Sequence, residues 1–244
     1  MIGRRVGWLG GRGWAWFLDY VYVVSRQAHA LLRPLDPAAY REVDGDLGAP
    51  VDGRPAAARP PVVLLPGVYE RWQFLRPVAD LLHGLGHPVH VVSALRWNTA
   101  PVAASAEQVA AYLQEHDLRD VVLVAHSKGG LIGKYAMTHL DPDGRIDRMV
   151  AVSTPFRGSV YARFFLLPAV RAFSPSDRTL LLLTEELTVN DRITSVWSEF
   201  DPHIPRGSHL EGATNVELPV RGHFRILGRP ELLEAVARAV TPPA

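Results

Sequence analysis

The 244-residue sequence contains no cysteine. That excludes a disulfide framework, a thiolate nucleophile and any metal site built on sulfur. Lysine is nearly missing: Lys128 and Lys134 stand against 24 arginines. Neither sign of charge is in excess, with Lys+Arg 26, Asp+Glu 25 and a net charge of +1. A chain so balanced has no overall basic field of the kind that attracts nucleic acid. Long apolar runs are absent too. The closest, Trp14 to Val24, is interrupted by Asp19 and falls short of the ~18 apolar residues that read as a spanning helix. Arg4 and Arg5 precede it, but no small-residue cleavage pattern follows, so the sequence reads as cytoplasmic without a clear signal peptide.

Cofactor motifs are also missing. There is no phosphate-binding loop pattern, and Gly11-Arg12-Gly13 lacks the strand and third glycine of a dinucleotide site. No His-Glu-x-x-His helix is present. His83 and His87 have ligand-like spacing, but the glycines between them and the lack of a third ligand favour a helix end and turn. The expectation is a protein without cofactor or metal.

What is present is an ordinary globular composition, 48% apolar and 21% charged. Residues 1–43 form an N-terminal helical segment. Within it Trp14, Phe17, Leu18, Val21, Val24, Ala28, Leu31 and Leu32 recur at helical spacing, which predicts an amphipathic helix. Residues 1–33 carry five Arg and one Asp. An apolar stripe of this kind docks on a neighbouring domain, or, flanked by arginines, lies on an anionic membrane surface as a peripheral contact. Residues 44–61 are dense in Gly and Pro and read as a linker.

Residues 62–244 alternate between two periods. Short apolar runs at 62–65, 89–92, 121–125 and 149–152, then 193–197 and 214–220, read as strands. Helical spacing fills the intervals at 74–85, 102–113, 128–139 and 232–240. This pattern predicts an α/β fold: a mostly parallel, doubly wound sheet with helices on both faces. Ligands in such sheets bind at the C-terminal edge of the strands, so chemistry is expected just after each strand.

The segment Ala125-His126-Ser127-Lys128-Gly129-Gly130 follows the third strand and opens a helix. A sharp strand-to-helix turn needs small residues two before and two after the serine, and Ala125 and Gly129 meet that need. Ser127 then reads as a nucleophile; as the plainer alternative it is a helix N-cap. A serine needs an imidazole to take its proton. His223, in Gly222-His223-Phe224 after the last strand, is placed to swing over the sheet edge. His83, His87, His90, His116 and His139 sit on helices, helix ends or an early strand. The imidazole in turn needs a carboxylate. Asp201 follows the fifth strand, with Glu199 as its rival.

The order Ser127, Asp201, His223, each at the end of a successive strand, resembles the α/β-hydrolase fold, and within it the lipases and esterases. The resemblance covers about residues 60 to 240. It rests also on Leu64-Leu65-Pro66-Gly67 and Ser153-Thr154-Pro155-Phe156-Arg157-Gly158-Ser159. It implies an oxyanion hole made by the backbone N–H groups of Val68 and Lys128. It also implies an acyl pocket involving Tyr69, Phe156, Phe164 and Phe165, with residues 156–190 as a cap or as helices covering the sheet. The Lys128 side chain pairs with a substrate carboxylate or a local acid, or is solvated at the helix start. The function implied is hydrolysis of a carboxylic ester or lipid by an acyl-enzyme route. An acyltransferase using the same triad, or a catalytically silent membrane-associated binding protein of this fold, are the alternatives.

Overall fold

The runs Val62–Leu65 and Val121–His126 are buried at every position. Strands with no polar face must be covered on both sides, which is the condition of a parallel sheet between two helical layers. The computed structural model describes residues 2–32, 35–43, 59–162, 168–171, 173–205 and 207–241. Phe164 and Phe165 lie outside the described residues, as do linker residues 44–58. The six strands are β1 (Val62–Leu65), β2 (Val89–Val91), β3 (Val121–His126), β4 (Ile146–Val152), β5 (Ile193–Phe200) and β6 (Thr214–Arg221). They form one sheet in the order β2-β1-β3-β4-β5-β6, with every neighbouring pair parallel. β4 starts three residues before the apolar run suggested. Its second and third residues, Asp147 and Arg148, interrupt the hydrophobic pattern without breaking the strand, and the Arg148 Nε–H donates to Asp147 Oδ2 at 2.7 Å.

The helices are α1 (Ile2–Leu32), α2 (Arg76–Gly84), α3 (Val102–Glu115), α4 (Lys128–His139), α5 (Pro168–Arg171), α6 (Arg178–Glu185) and α7 (Pro230–Val240). Strand side chains alternate between the two layers, as a period of two requires. Val63, Leu65, Leu123 and Ala125 join Val109 of α3, Ile132 of α4 and Leu183 of α6. Val62, Leu64, Val122 and Val124 join Leu82 of α2 and Val236 of α7. Fully burying a side chain such as Leu64 contributes about 1.5–3 kcal/mol, so these layers hold the sheet rigidly.

From β1 the chain passes to β2 at the sheet edge, then returns to place β3 on the other side of β1. The winding reverses at that point. A crevice opens outside the carboxyl ends of the two strands that flank such a reversal, here after Leu65 and after His126.

Helix α1 docks differently from the expectation. Trp14, Phe17, Val21 and Val24 of the expected stripe are exposed, Val24 by 66%. The face turned inward carries Asp19, buried completely, with Tyr22 and Val23 against the α2/α7 layer. The reason is polar: Asp19 meets backbone N–H groups of the loop after β6. The 100° turn per residue then sends positions 14, 17, 21 and 24 to the opposite side. No helix among the described residues is long and apolar enough to cross a membrane.

Candidate active site

Ser127 sits between β3 and α4 at φ 51° and ψ −118°, a backbone conformation that a non-glycine residue occupies only at a cost in strain. Its neighbours explain how the turn closes. A Cβ at Gly129 would overlap the Leu65 carbonyl oxygen, and one at Gly130 would overlap the Thr154 hydroxyl. Two glycines therefore let α4 start directly against β1 and the loop after β4. Ser127 is 7% exposed and faces a cavity of about 630 Å³.

The loop after β6 brings His223 over this serine. His223 Nε2 lies 3.1 Å from Ser127 Oγ, and His223 Nδ1 lies 2.7 Å from Asp201 Oδ2. Asp201 Oδ1 accepts the backbone N–H groups of His203 and Ile204 at 2.8 and 2.9 Å. Three hydrogen bonds, one on Oδ2 and two on Oδ1, thereby hold its orientation. Glu199, the rival acid, is exposed and pairs with Arg221 at 3.0 Å. The structure thus brings Ser127, Asp201 and His223 together and leaves Glu199 out.

The electrostatics follow from this geometry. Burial pushes the Asp201 carboxyl up, but the His223 imidazole and its hydrogen bond, with the His203 amide, hold it below the usual carboxylate range. Burial would push His223 down. The Asp201 charge and hydrogen bond, joined by the Asp19 and Glu70 carboxylates, pull it above the ordinary histidine value instead. His203, whose ring centroid is 5.0 Å from that of His223, is pushed down to about 3 by burial and by His223.

Asp201, His203 and His223 place one ligand-type atom each within 4.8 Å of one another. As a metal trio they fit poorly. Asp201 Oδ2 and His223 Nδ1 already satisfy each other, and Asp201 Oδ1 is occupied by two amides.

The loop after β1 forms the facing wall. Val68 and Tyr69 line the cavity. Tyr69 has φ 60° and its N–H donates to the Trp97 carbonyl at 2.7 Å. Lys128 is the first residue of α4, so its backbone N–H has no acceptor within the helix. Its side chain is neither solvated nor paired with an acid. It is buried, and Nζ donates to the carbonyls of Asn98 and Ala100. Burial pushes this amine down to about 8. Phe156 does not line the cavity: at 3% exposure it packs in the α3/α4/α6 layer, because the turn Pro155–Gly158 aims it at the core. Within 156–190, Ala162, Val170 and Phe173 line the cavity, whereas Leu180 and Leu183 of α6 cover the sheet.

Three polar residues at this site escaped sequence reasoning. Glu70 is buried; it accepts the Gly67 N–H at 2.7 Å and meets His126 Nδ1 at 2.8 and 3.0 Å. His126 Nε2 in turn meets the His223 carbonyl oxygen at 3.0 Å. The His223 carbonyl can only accept, so His126 Nε2 is the donor in that contact. The third is Asp19. It is the only acid in the first 35 residues, and a lone carboxylate inside an apolar helical stretch was the available signal.

No protein-family model matches this chain, and no curated protein does. Solved structures do resemble it. The mature form of Bacillus licheniformis lipase BlEst2 superposes with a TM-score of 0.61 at 17% identity, over 79% of this chain and 96% of the lipase. An extracellular α/β-hydrolase from a Paenibacillus species gives 0.53 at 18% identity, over 74% and 98%. A monoacylglycerol lipase from Paleococcus ferrophilus gives 0.53 at 18% identity, over 75% and 94%. Sheet order, the serine at the turn after β3 and these superpositions agree on one conclusion: the chain has the α/β-hydrolase fold.

Proposed function

We propose that the protein is a serine hydrolase that cleaves carboxylic esters with apolar acyl groups. The observation that carries this reading is the unbroken line from Ser127 Oγ to His223 Nε2 and from His223 Nδ1 to Asp201 Oδ2, at 3.1 and 2.7 Å. Ser127 attacks the ester carbonyl while His223 takes its proton. Asp201 stays ionised, holds the tautomer and stabilises the imidazolium. The alkoxide that develops is held by the N–H groups of Val68 and Lys128. His223 then protonates the leaving alcohol, and water, activated by the same imidazole, releases the acid and restores Ser127. Val68, Tyr69, Phe74, Val170 and Phe173 give the cavity an apolar lining suited to an acyl chain.

The outward face of α1 belongs to the same reading. Trp16, Tyr20 and Val23 line the cavity on one side of the helix, while Trp14, Phe17, Val21 and Val24 face away. The first 33 residues carry five Arg, and their single acid, Asp19, is buried. An apolar stripe in a segment that holds five arginines and one acid fits an anionic lipid surface. The 244-residue protein should co-sediment with vesicles of phosphatidylcholine and phosphatidylglycerol and less with phosphatidylcholine alone. A Phe17→Ser/Val24→Ser variant should lose binding; equal binding by both proteins removes the lipid contact.

A p-nitrophenyl ester series of rising chain length tests the activity. Turnover by wild type and its loss in Ser127→Ala are expected. Equal turnover by the two proteins overturns the reading.

A further inference from the structure

We infer that Asp19 of α1 is a positioning residue for His223, so that the N-terminal helix completes the active site rather than merely covering it. The inference builds on the hydrolase reading and adds a residue 204 positions away in the chain.

The observations concern the main chain of the turn that carries the imidazole. Asp19 Oδ2 accepts the His223 N–H at 2.9 Å. Asp19 Oδ1 accepts the N–H groups of Phe224 and Arg225 at 3.0 and 2.9 Å. These amides open the short 3-10 turn Arg225–Gly228, where three consecutive N–H groups would otherwise lack acceptors. A carboxylate at 0% exposure is tolerable only when its oxygens are satisfied, and the three amides do this. Gly222, just before, has φ 113°, and a Cβ there would stand 2.6 Å from Asp19 Oδ1. The close approach therefore depends on glycine.

The other side of the same residue is held as well. The His223 carbonyl oxygen accepts from His126 Nε2, and Glu70 backs His126. The backbone of His223 is thus gripped at its N–H by one buried carboxylate and at its C=O by an imidazole that a second one orients. Helix α1 also reaches the opposite wall, where Gln27 Nε2 donates to the Tyr69 carbonyl at 3.2 Å. Position alone does not exhaust the effect. The charged and titratable groups facing the His223 ring region are Asp201 and His203 after β5, His126 of β3, Glu70 after β1, and Asp19 of α1. Asp19 and Glu70 both favour the imidazolium, which is the charged form that the reaction generates.

The test is the rate at which a fluorophosphonate labels Ser127, followed against pH in wild type and Asp19→Asn. The amide keeps the size of the side chain but loses its charge and one acceptor. Loosening the turn should slow labelling by ~10–100-fold, as small misplacements of a reacting group do. Removing the negative charge should also move the acidic limb to lower pH, a shift that a merely structural residue would not cause. A folded variant that labels within about twofold of wild type, with an unmoved limb, overturns the inference.

Amide hydrogen exchange on the unmodified protein gives an answer that needs no variant. The His223, Phe224 and Arg225 N–H groups should be protected although they lie in a loop; fast exchange at all three overturns the clamp. Failure of the hydrolase reading looks different: wild type itself would not label, whatever the protection of these amides.

Discussion

Lys128 Nζ donates to the Asn98 carbonyl at 2.8 Å, and the Asn98 side chain donates onward to the Pro66 carbonyl at 2.6 Å. A lysine adjacent to Ser127 thus acts on the wall opposite that serine. It ties the loop after β2 to the loop after β1, and Trp97 of the first receives the Tyr69 N–H of the second. Lys128→Met retains the volume and removes the tie. Two carbonyls then lose their donor, which costs about 1–3 kcal/mol of stability. Slippage of the Val68 amide should lower kcat ~10–100-fold while KM changes little. Urea unfolding and ester kinetics measure the two effects; unchanged kcat in a folded variant refutes the coupling.

Lys134 offers the reverse experiment. It is fully buried and, among the described residues, its Nζ has no hydrogen-bond partner. Burial pushes it down to about 8 from an ordinary 10.5. Lys134→Met should therefore stabilise the fold by about 1–3 kcal/mol, since a buried ammonium with no hydrogen-bond partner, which the Glu186 charge only partly offsets, is replaced by apolar volume. The pH dependence has a definite sign. Between pH 8 and 10.5 the unfolded chain binds more protons at this residue than the folded one, so wild-type stability should rise with pH across that window. Lys128, also held at about 8, contributes to the same rise. Thermal melts at pH 7.5 and 9.5 should show a smaller gain in Lys134→Met than in wild type.

The acidic limb of kcat/KM should report His223. Its neutral form is the one that accepts the serine proton, and its pKa is raised above the ordinary 6.5 by Asp201, with Asp19 and Glu70 adding to the effect. Activity should fall as pH drops through a midpoint above 6.5. His203, held down to about 3 by burial, adds no second limb at neutral pH. A profile with its midpoint well below 6.5 contradicts this electrostatic picture.

Gly130 tests the turn. The Cβ of Gly130→Ala would overlap the Thr154 side chain, so overpacking should cost about 1–3 kcal/mol and displace Ser127. Chemical denaturation with parallel fluorophosphonate labelling checks both parts. A variant of native stability and labelling rate rules out the steric account.

The sheet was legible because its chemistry is local and periodic. Val62–Leu65 and Val121–Ala125 are short, valine-rich apolar runs, the length and composition of covered strands, and Ser127 stands where such a run meets a glycine-rich helix start. Asp201 and His223 could be chosen because each follows a strand. What stayed hidden depends on contacts between distant segments. Asp19 interrupts an apolar pattern, and in sequence that looks like a flaw in the stripe; only folding shows it meeting amides 204 residues on. The orientation of α1 was missed for the same reason, since periodicity reveals an apolar face but not which face is buried. Lys128 was misplaced because helix-start lysines are usually solvated, and nothing local announces the carbonyls of Asn98 and Ala100.

The most direct measurement is the intact mass of the protein after reaction with a fluorophosphonate, followed by peptide mapping. The account predicts one adduct, on Ser127, absent from Ser127→Ala and strongly slowed in His223→Ala. A folded wild-type protein that gains no mass, or gains it on another residue, contradicts it.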